Sequence, residues 1–490
     1  MELKKRTILL IGAGFAGRQL LQEIKQKGHL GKALAFVDDD PDKIGTDIDG
    51  VPVYGPISQI KTINESVQAE EAIITIPSGS PDDLKRIYNS LQESNFIQIR
   101  LLPNVSQIVN GEAHLIQTRE IDPQDLLGRP PIFINLKESL SYLRGKRVLI
   151  TGAGGSIGSE LARQLLSGGA ERLYLFGHGE NSIYLIEKEL RLLQKGGVGE
   201  KATIVPIIGE LRDQDFMDFI LTRLKADVIF HCAAHKHVPL MEANPVEAVI
   251  NNVFGTYHLL KAAEKAKIPK LVLISTDKAV NPNSTYGVSK FFAEQLVLSS
   301  GGPNQDFMVV RFANVLGSRG SILPLFKEQI LTGGPITITD SRATRYFMTI
   351  PEAASLVLQA GGVGQNRDLY LLDMGEPVNI EDLARQMTTF YGFKPEQDIA
   401  INYIGLRPGE KLYERLYSSS EEVLPTQYHK LNKIIKKTPQ ISMDEILEQL
   451  KPICFYDPQK TQLYRNRKAL RATLNKYVPT LEIPDNEPEY

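Results

Sequence analysis

An apolar run, KLVLIS (270–275), delivers Thr276, Asp277 and Lys278 at its end, and a Tyr-x-x-x-Lys pair, Tyr286 and Lys290, follows closely. The stretch ISTDKAVNPNSTYGVSK (274–290) thus holds a carboxyl, an amine, a phenol and a second amine. Structural needs alone rarely gather four such groups at the carboxyl end of one strand, where open α/β sheets build their ligand crevices. Tyrosine is a poor base near neutrality, but a lysine one helical turn away favours its phenolate. The bland alternative makes Asp277 a turn cap and Lys278 a solvated charge.

These residues need a strand to carry them and a helix to open at Tyr286, and the surrounding pattern supplies both. KRVLITGAGGSIGSELARQLL reads as strand, glycine-rich turn and helix, with Gly152, Gly155 and Gly158 spaced G-x-x-G-x-x-G around Ser156 and Ile157. The unpaired N–H groups at such a helix start favour a pyrophosphate. Strands RLYLFG, ATIVPIIG, DVIFHCAA, KLVLIST and MVVRFANVLG then alternate with helical segments. That alternation implies a parallel, doubly wound sheet with right-handed crossovers.

An earlier turn echoes this one. TILLIGAGFAG carries Gly12, Gly14 and Gly17 as G-x-G-x-x-G before the helical LLQEIKQKG, and ALAFVDDD ends in Asp38 and Asp39, suitably placed for a ribose. The competing reading is a Rossmann-like module that holds no nucleotide. Strands at EEAIITIP and QIRLLP close this domain near residue 110, and the proline-containing DPQDLLGRPPIF reads as a connector. The fold class expected is therefore α/β, with two Rossmann-like doubly wound parallel-sheet domains, the second bearing a smaller carboxyl-terminal substrate-binding lobe. The expected division is 1–118, a linker at 119–140, a catalytic domain at 141–435, and a helical extension and tail at 436–490.

Composition narrows the classes. The 490 residues leave room for roughly three domains. A net charge of −2 argues against a nucleic-acid partner, and two distant cysteines, Cys232 and Cys454, give neither a disulfide framework nor a thiolate metal site. A soluble protein of the reducing cytoplasm is expected, since no run approaches the roughly 18 apolar residues of a membrane span and MELKKRTILLIGAG is no signal peptide.

TGAGGSIG, HCAAHKHVPLMEANPVEAVINNVFGT, STDKAVNP, YGVSK, GSRGS and GLRPGEKLYE occur in the order seen in extended short-chain dehydrogenases. From about residue 5 to 435 the chain resembles their polysaccharide-biosynthesis branch, the nucleotide-sugar 4,6-dehydratases, whose usual substrate is UDP-N-acetylglucosamine. Many relatives carry amino-terminal membrane helices that this chain lacks, which leaves room for a location at the inner face of a membrane. The resemblance implies internal redox: hydride leaves sugar C4, water is lost across C5 and C6, and hydride returns at C6. Tyr286 takes the C4 hydroxyl proton with help from Lys290, and Thr276 hydrogen-bonds the same hydroxyl. Asp277 protonates the departing C6 hydroxyl and Lys278 removes the C5 proton. These roles ask for an upward shift in the acid's pKa and a downward one in the lysine's, as desolvation provides. Membrane-anchored relatives often carry methionine where Tyr286 stands.

The resemblance also implies a cofactor, held by Gly152, Gly155, Ser156, Ile157, Gly158, Glu210, Leu211, Ala233, Ala234, Tyr286 and Lys290. The strand that should end in a ribose-binding acid ends at Gly177, with Glu180 three residues on and no arginine for a 2′-phosphate, so NAD is expected over NADP. Lys236, Asn314, Arg319, Arg345, Arg407 and Glu410 are expected around the UDP-sugar, arginines being suited to a diphosphate. His231, His235 and His237 superficially suggest metal ligands, but the strand should end near Ala234 before all three share a face, and no metal is expected. The alternatives are a nucleotide-sugar 4-epimerase, which needs no acid–base pair to lose water, and a non-catalytic dinucleotide-binding regulator. FFAEQLVLSS after Tyr286 is expected by analogy to join copies into a homo-oligomer. Beyond residue 435, ISMDEILEQLKPI and KTQLYRNRKALRATLNKYV read as helices without chemistry, and PDNEPEY as a disordered tail.

Overall fold

The computed structural model describes residues 6–26, 31–76, 81–94, 96–102, 119–120, 140–437 and 441–488. The segment DPQDLLGRPPIF and the expected closure near residue 110 lie outside them. The chain forms two compact units, Met1–Glu138 with Arg191–Glu200, and Ser139–Leu190 with Lys201–Tyr490. Among the described residues no helix is long and apolar enough to cross a membrane.

In the first unit the strands are β1 (Thr7–Ile11), β2 (Lys32–Val37), β3 (Asp47–Ile48), β4 (Val51–Tyr54), β5 (Glu71–Ile74), β6 (Gln98–Leu101) and β7 (Arg119–Glu120). They are ordered β3-β4-β2-β1-β5-β6-β7, parallel from β4 to β6 with antiparallel edges. Successive residues of β1 face opposite ways. Leu9 and Ile11 pack with Ile60, Ile87 and Leu91, whereas Ile8 and Leu10 pack with Leu20, Leu21 and Ile24 of the helix Phe15–Gln26. Both faces are apolar because helices cover both. Asp38 turns its carboxylate onto the glycine turn, where Oδ2 accepts the Ala13 N–H at 2.7 Å.

The second unit opens with β8 (Arg147–Thr151), β9 (Arg172–Gly177), β10 (Thr203–Ile208), β11 (Val228–His231), β12 (Lys270–Thr276) and β13 (Asp306–Phe312). The chain then leaves the sheet through β14 (Asn314–Val315), β15 (Ile336–Ile338), β16 (Thr344–Arg345) and β17 (Phe347–Met348), and returns as β18 (Leu369–Leu372). A second excursion, β19 (Val378–Asn379) and β20 (Ile401–Tyr403), precedes β21 (Glu421–Pro425) and β22 (Leu431–Lys436). The two excursions pair with each other as β15 with β20 and β16 with β19, while β14 pairs with β17. This is the smaller lobe.

The main sheet runs β10-β9-β8-β11-β12-β13-β18-β22-β21. Its first six strands follow the dinucleotide-binding order, which reverses between β8 and β11 and opens a crevice at the strands' carboxyl ends. All neighbours from β10 to β18 are parallel, and β22 and β21 add an antiparallel edge.

Two expectations change at the carboxyl end. The helices Met443–Cys454 and Arg467–Tyr477 form, but the tail is not loose: Glu487 is buried and pairs with Arg467 at 2.5 Å and Arg471 at 2.7 Å. The helix Thr285–Ser299, expected to join copies, is buried nearly all round within its own chain, and Phe292, Leu296 and Val297 share a core with Ile446, Leu450 and Leu470. Pairing of copies through that helix therefore lacks a free apolar face.

Candidate active site

Thr276 ends β12 and caps the short turn Asp277–Ala279 that follows. Its hydroxyl donates to Asp277 Oδ1 at 2.9 Å, and Lys278 Nζ lies 3.0 Å from the same oxygen. β13 runs parallel beside β12, so Asn314, just past its end, meets Lys278 Nζ with Oδ1 at 3.3 Å. Asp277 is fully buried, and its Oδ2 has no hydrogen-bond partner among the described residues.

Lys278 departs from expectation. Burial lowers an ammonium's pKa, but here the charges of Asp277 and Glu414 outweigh it and the pKa is raised. The resting group is an ammonium in an ion pair rather than a free amine. Glu414, whose Oε1 lies 3.7 Å from Lys278 Nζ, was not singled out in the sequence although it ends the motif GLRPGEKLYE. Nothing local marks it, because the chain must fold back from the smaller lobe to bring it there.

Tyr286 is the second residue of the helix Thr285–Ser299, whose start is capped by Ser284 accepting the Gly287 N–H. Burial pushes its phenol up to about 12, with the charges of Asp277 and Glu414 adding to the rise and that of Lys278 opposing it. Lys290 donates instead to the Ile274 carbonyl at 2.8 Å, and burial pulls its ammonium down to about 8.

The glycine turn builds a cavity of about 450 Å³ at the reversal point of the sheet, within the usual range for ligand pockets. Gly152 has φ +66°, and a Cβ there would stand 2.8 Å from Ala233 Cα. A Cβ on Gly158 would stand 2.3 Å from the Gly152 carbonyl oxygen. Gly152, Gly155, Glu210, Leu211, Ala233 and Ala234 line the cavity as expected residues. Ser156 and Ile157 open the helix Ser156–Ser167, which has no side-chain cap, so its first N–H groups remain for a ligand. A dinucleotide fits this cradle.

Arg319 belongs to this cavity rather than to the Lys278 cluster: it lines the wall, donates to the Gly154 carbonyl at 2.9 Å, and its N–H reaches Ser156 Oγ. Arg212, which the sequence reading did not place here, also lines the cavity, paired with Glu210. Arg345 is spent on the carbonyls of Thr344, Leu412 and Lys411 at 2.7–3.0 Å, so it holds the chain near Glu414 instead of offering a diphosphate clamp. Arg407 and Glu410 bond each other at 3.0 Å, and Lys236 lies exposed after β11. β11 ends at His231, earlier than expected, because Asn252 takes over the backbone at His235 by accepting its N–H and donating to its carbonyl. Both ring nitrogens of His231 are occupied by the hydroxyls of Thr151 and Thr256 at 2.7 and 3.0 Å, and burial pushes its pKa down to about 3.

The carboxyl-terminal helices reach the same region. Arg471, almost fully buried, donates to Glu242 Oε2 at 2.8 Å and to Thr285 Oγ1 at 2.9 Å, while Glu242 Oε1 accepts the Thr285 N–H at 2.6 Å. Thr285 immediately precedes Tyr286. The extension assigned no chemistry thus braces the start of the helix that carries the phenol.

Residues 3–83 match the family described as CoA binding domain, and residues 148–436 match that described as polysaccharide biosynthesis protein. Over 415 residues, 84% of this chain and 68% of the relative, the sequence is 42% identical to the probable polysaccharide biosynthesis protein EpsC of Bacillus subtilis. It is 41% identical to the capsular polysaccharide biosynthesis protein CapD of Staphylococcus aureus, over 86% of this chain and 70% of that one. Among solved structures, Pen from Bacillus thuringiensis superposes with a TM-score of 0.54 at 33% identity, covering 60% of this chain and 90% of Pen. With its catalytic-domain fold and most of its length matched in this way, the chain belongs to the polysaccharide biosynthesis protein family.

Proposed function

We propose that the chain dehydrates a UDP-N-acetylhexosamine, UDP-N-acetylglucosamine first among them, to the UDP-4-keto-6-deoxy sugar. The observation that carries this reading is the Asp277–Lys278 contact of 3.0 Å at the end of β12, beside Tyr286. Oxidation and reduction at a sugar carbon use a phenol and a lysine, but removing water also needs an acid and a base next to each other.

A bound NAD supplies the hydride acceptor at C4 and the donor at C6. Glu210, already paired with Arg212, keeps a carboxylate at the wall of the cavity. Tyr286 takes the C4 hydroxyl proton, with Thr276 at the end of β12 to hydrogen-bond the same hydroxyl. The raised pKa of Tyr286 means that the phenolate needs nearby positive charge, which Lys278 supplies and to which a bound oxidised NAD would add.

Elimination then draws on the ion pair. Transfer of one proton along the 3.0 Å contact converts ammonium and carboxylate into amine and carboxylic acid. Lys278 accepts the C5 proton, Asp277 gives its proton to the departing C6 hydroxyl, and water leaves. The ammonium and carboxylate reappear; as hydride returns at C6, Lys278 gives a proton to C5, and the proton that Tyr286 took from the C4 hydroxyl restores the ammonium.

A 4-epimerase and a non-catalytic regulator make no use of that pair. The purified chain, incubated with UDP-N-acetylglucosamine and NAD, is expected to yield a nucleotide sugar lighter by one water in the mass spectrum. A product of unchanged mass and altered retention indicates epimerisation, and unaltered substrate removes the enzymatic reading.

A further inference from the structure

The loop between β20 and β21 brings a carboxylate to Lys278 that the acid–base pair does not itself require. The Glu414 side chain is 4% exposed, and its Oε2 is buried without a hydrogen-bond partner among the described residues. Buried carboxylates are as a rule hydrogen-bonded, and leaving one unsatisfied is costly. Its Oε1 instead stands at ion-pair distance from two cations, 3.7 Å from Lys278 Nζ and 4.0 Å from Arg345 Nε. Both separations exceed a hydrogen bond. The group contributes charge rather than a bond.

The chain around it is fastened for that purpose. Arg345 binds the carbonyls of Lys411 and Leu412, and Lys411 Nζ donates to the carbonyls of Val280 and Asn281 at 3.0 and 2.9 Å. The first anchor ties the loop to β16, the second to the segment just beyond Lys278. Neither anchor uses the Glu414 carboxylate, which stays directed at the ammonium. Around Lys278 Nζ, which has three N–H donors, stand Asp277 Oδ1 at 3.0 Å, Asn314 Oδ1 at 3.3 Å and Glu414 Oε1 at 3.7 Å.

We propose that Glu414 is a positioning residue for the elimination, acting through Lys278 as the second carboxylate of a buried Asp277–Lys278–Glu414 charge triad. The proposal rests on the dehydratase reading. Its consequence is that the smaller lobe, not only β12, governs when Lys278 can act as a base: Glu414 stabilises the ammonium and so opposes loss of the proton that elimination requires. The other titratable groups facing this cluster are Tyr286 on the helix after β12 and Lys411 on the same loop, with Arg345 behind Glu414.

The test is the pH dependence of dehydration by the full chain with NAD, compared among wild type, Glu414→Gln and Glu414→Asp. Activity needs the Asp277–Lys278 pair to hold a single proton between them, and is lost as pH falls and the pair takes up a second. Glu414→Gln removes a neighbouring opposite charge, so this acidic limb should move to lower pH by about one unit or more. Glu414→Asp withdraws the charge by one methylene and should move the limb the same way but less far, which keeps the test open if the Gln variant fails to fold. Limbs of the folded variants that superimpose on the wild-type limb would overturn the proposal while leaving the dehydratase reading intact. Wild type that forms no dehydrated product would overturn both, and shows itself before any variant is compared.

Discussion

Lys278 Nζ lies 3.0 Å from Asp277 Oδ1, while the other oxygen of the same carboxylate, Oδ2, is buried without a partner among the described residues. Two residues adjacent in sequence so form one hydrogen-bonded ion pair, with one side of the carboxylate left open. Lys278→Ala is expected to abolish dehydration while NAD remains bound, since neither residue lines the dinucleotide cavity. Product analysis together with a cofactor-binding titration checks this, and full dehydratase activity in the variant would remove Lys278 as the base.

Gly158 comes against the Gly152 carbonyl so closely that an added Cβ would stand 2.3 Å from it. Backbone on both sides leaves no flexible group to yield. Gly158→Ala is expected to displace the first turn of the helix Ser156–Ser167 and to weaken NAD binding by at least tenfold, measured by calorimetric titration. Unchanged affinity would show that the turn tolerates the displacement.

His231 is neutral in the fold, its pKa depressed to about 3 from an ordinary 6.5. Its contribution to stability is fully present above pH 6.5 and is lost as pH falls toward 3, because only the unfolded chain takes up the proton over that interval. Unfolding free energy should drop through this site by about 1.4 kcal/mol per pH unit. Denaturant titrations between pH 4 and 7 compare wild type with His231→Asn, in which that component of the slope should vanish.

Arg471 joins Glu242, Glu487 and Thr285 in a site almost closed to solvent. Arg471→Met leaves buried Glu242 without its cation and Glu487 with Arg467 alone, and should destabilise the second unit by roughly 3–5 kcal/mol. The double variant Arg471→Met/Glu487→Gln should recover part of that loss. Equal stabilities for single variant and wild type would mean that the extension does not brace the Tyr286 helix.

What was legible in the sequence was local. The TGAGGSIG turn, the strand ending at Thr276 and the helix opening at Tyr286 each depend on spacing within a few residues, and each forms as read. Partnerships between distant segments were not legible. Arg345 had the chemistry of a phosphate ligand, yet the carbonyls of Lys411 and Leu412, brought near only by folding, occupy it. Glu414 ended a recognised motif, but its meeting with Lys278 joins positions far apart in the chain. PDNEPEY had the composition of a solvated tail, and Glu487 is buried only because Arg467 and Arg471 present two cations on successive turns of one helix.

The central claim is that the chain removes water across C5 and C6, and proton exchange at C5 reads that step directly. With UDP-N-acetylglucosamine and NAD in deuterated water, NMR is predicted to show a 4-keto-6-deoxy sugar with deuterium at C5. Unchanged sugar, or a C4 epimer carrying no deuterium at C5, would contradict the account.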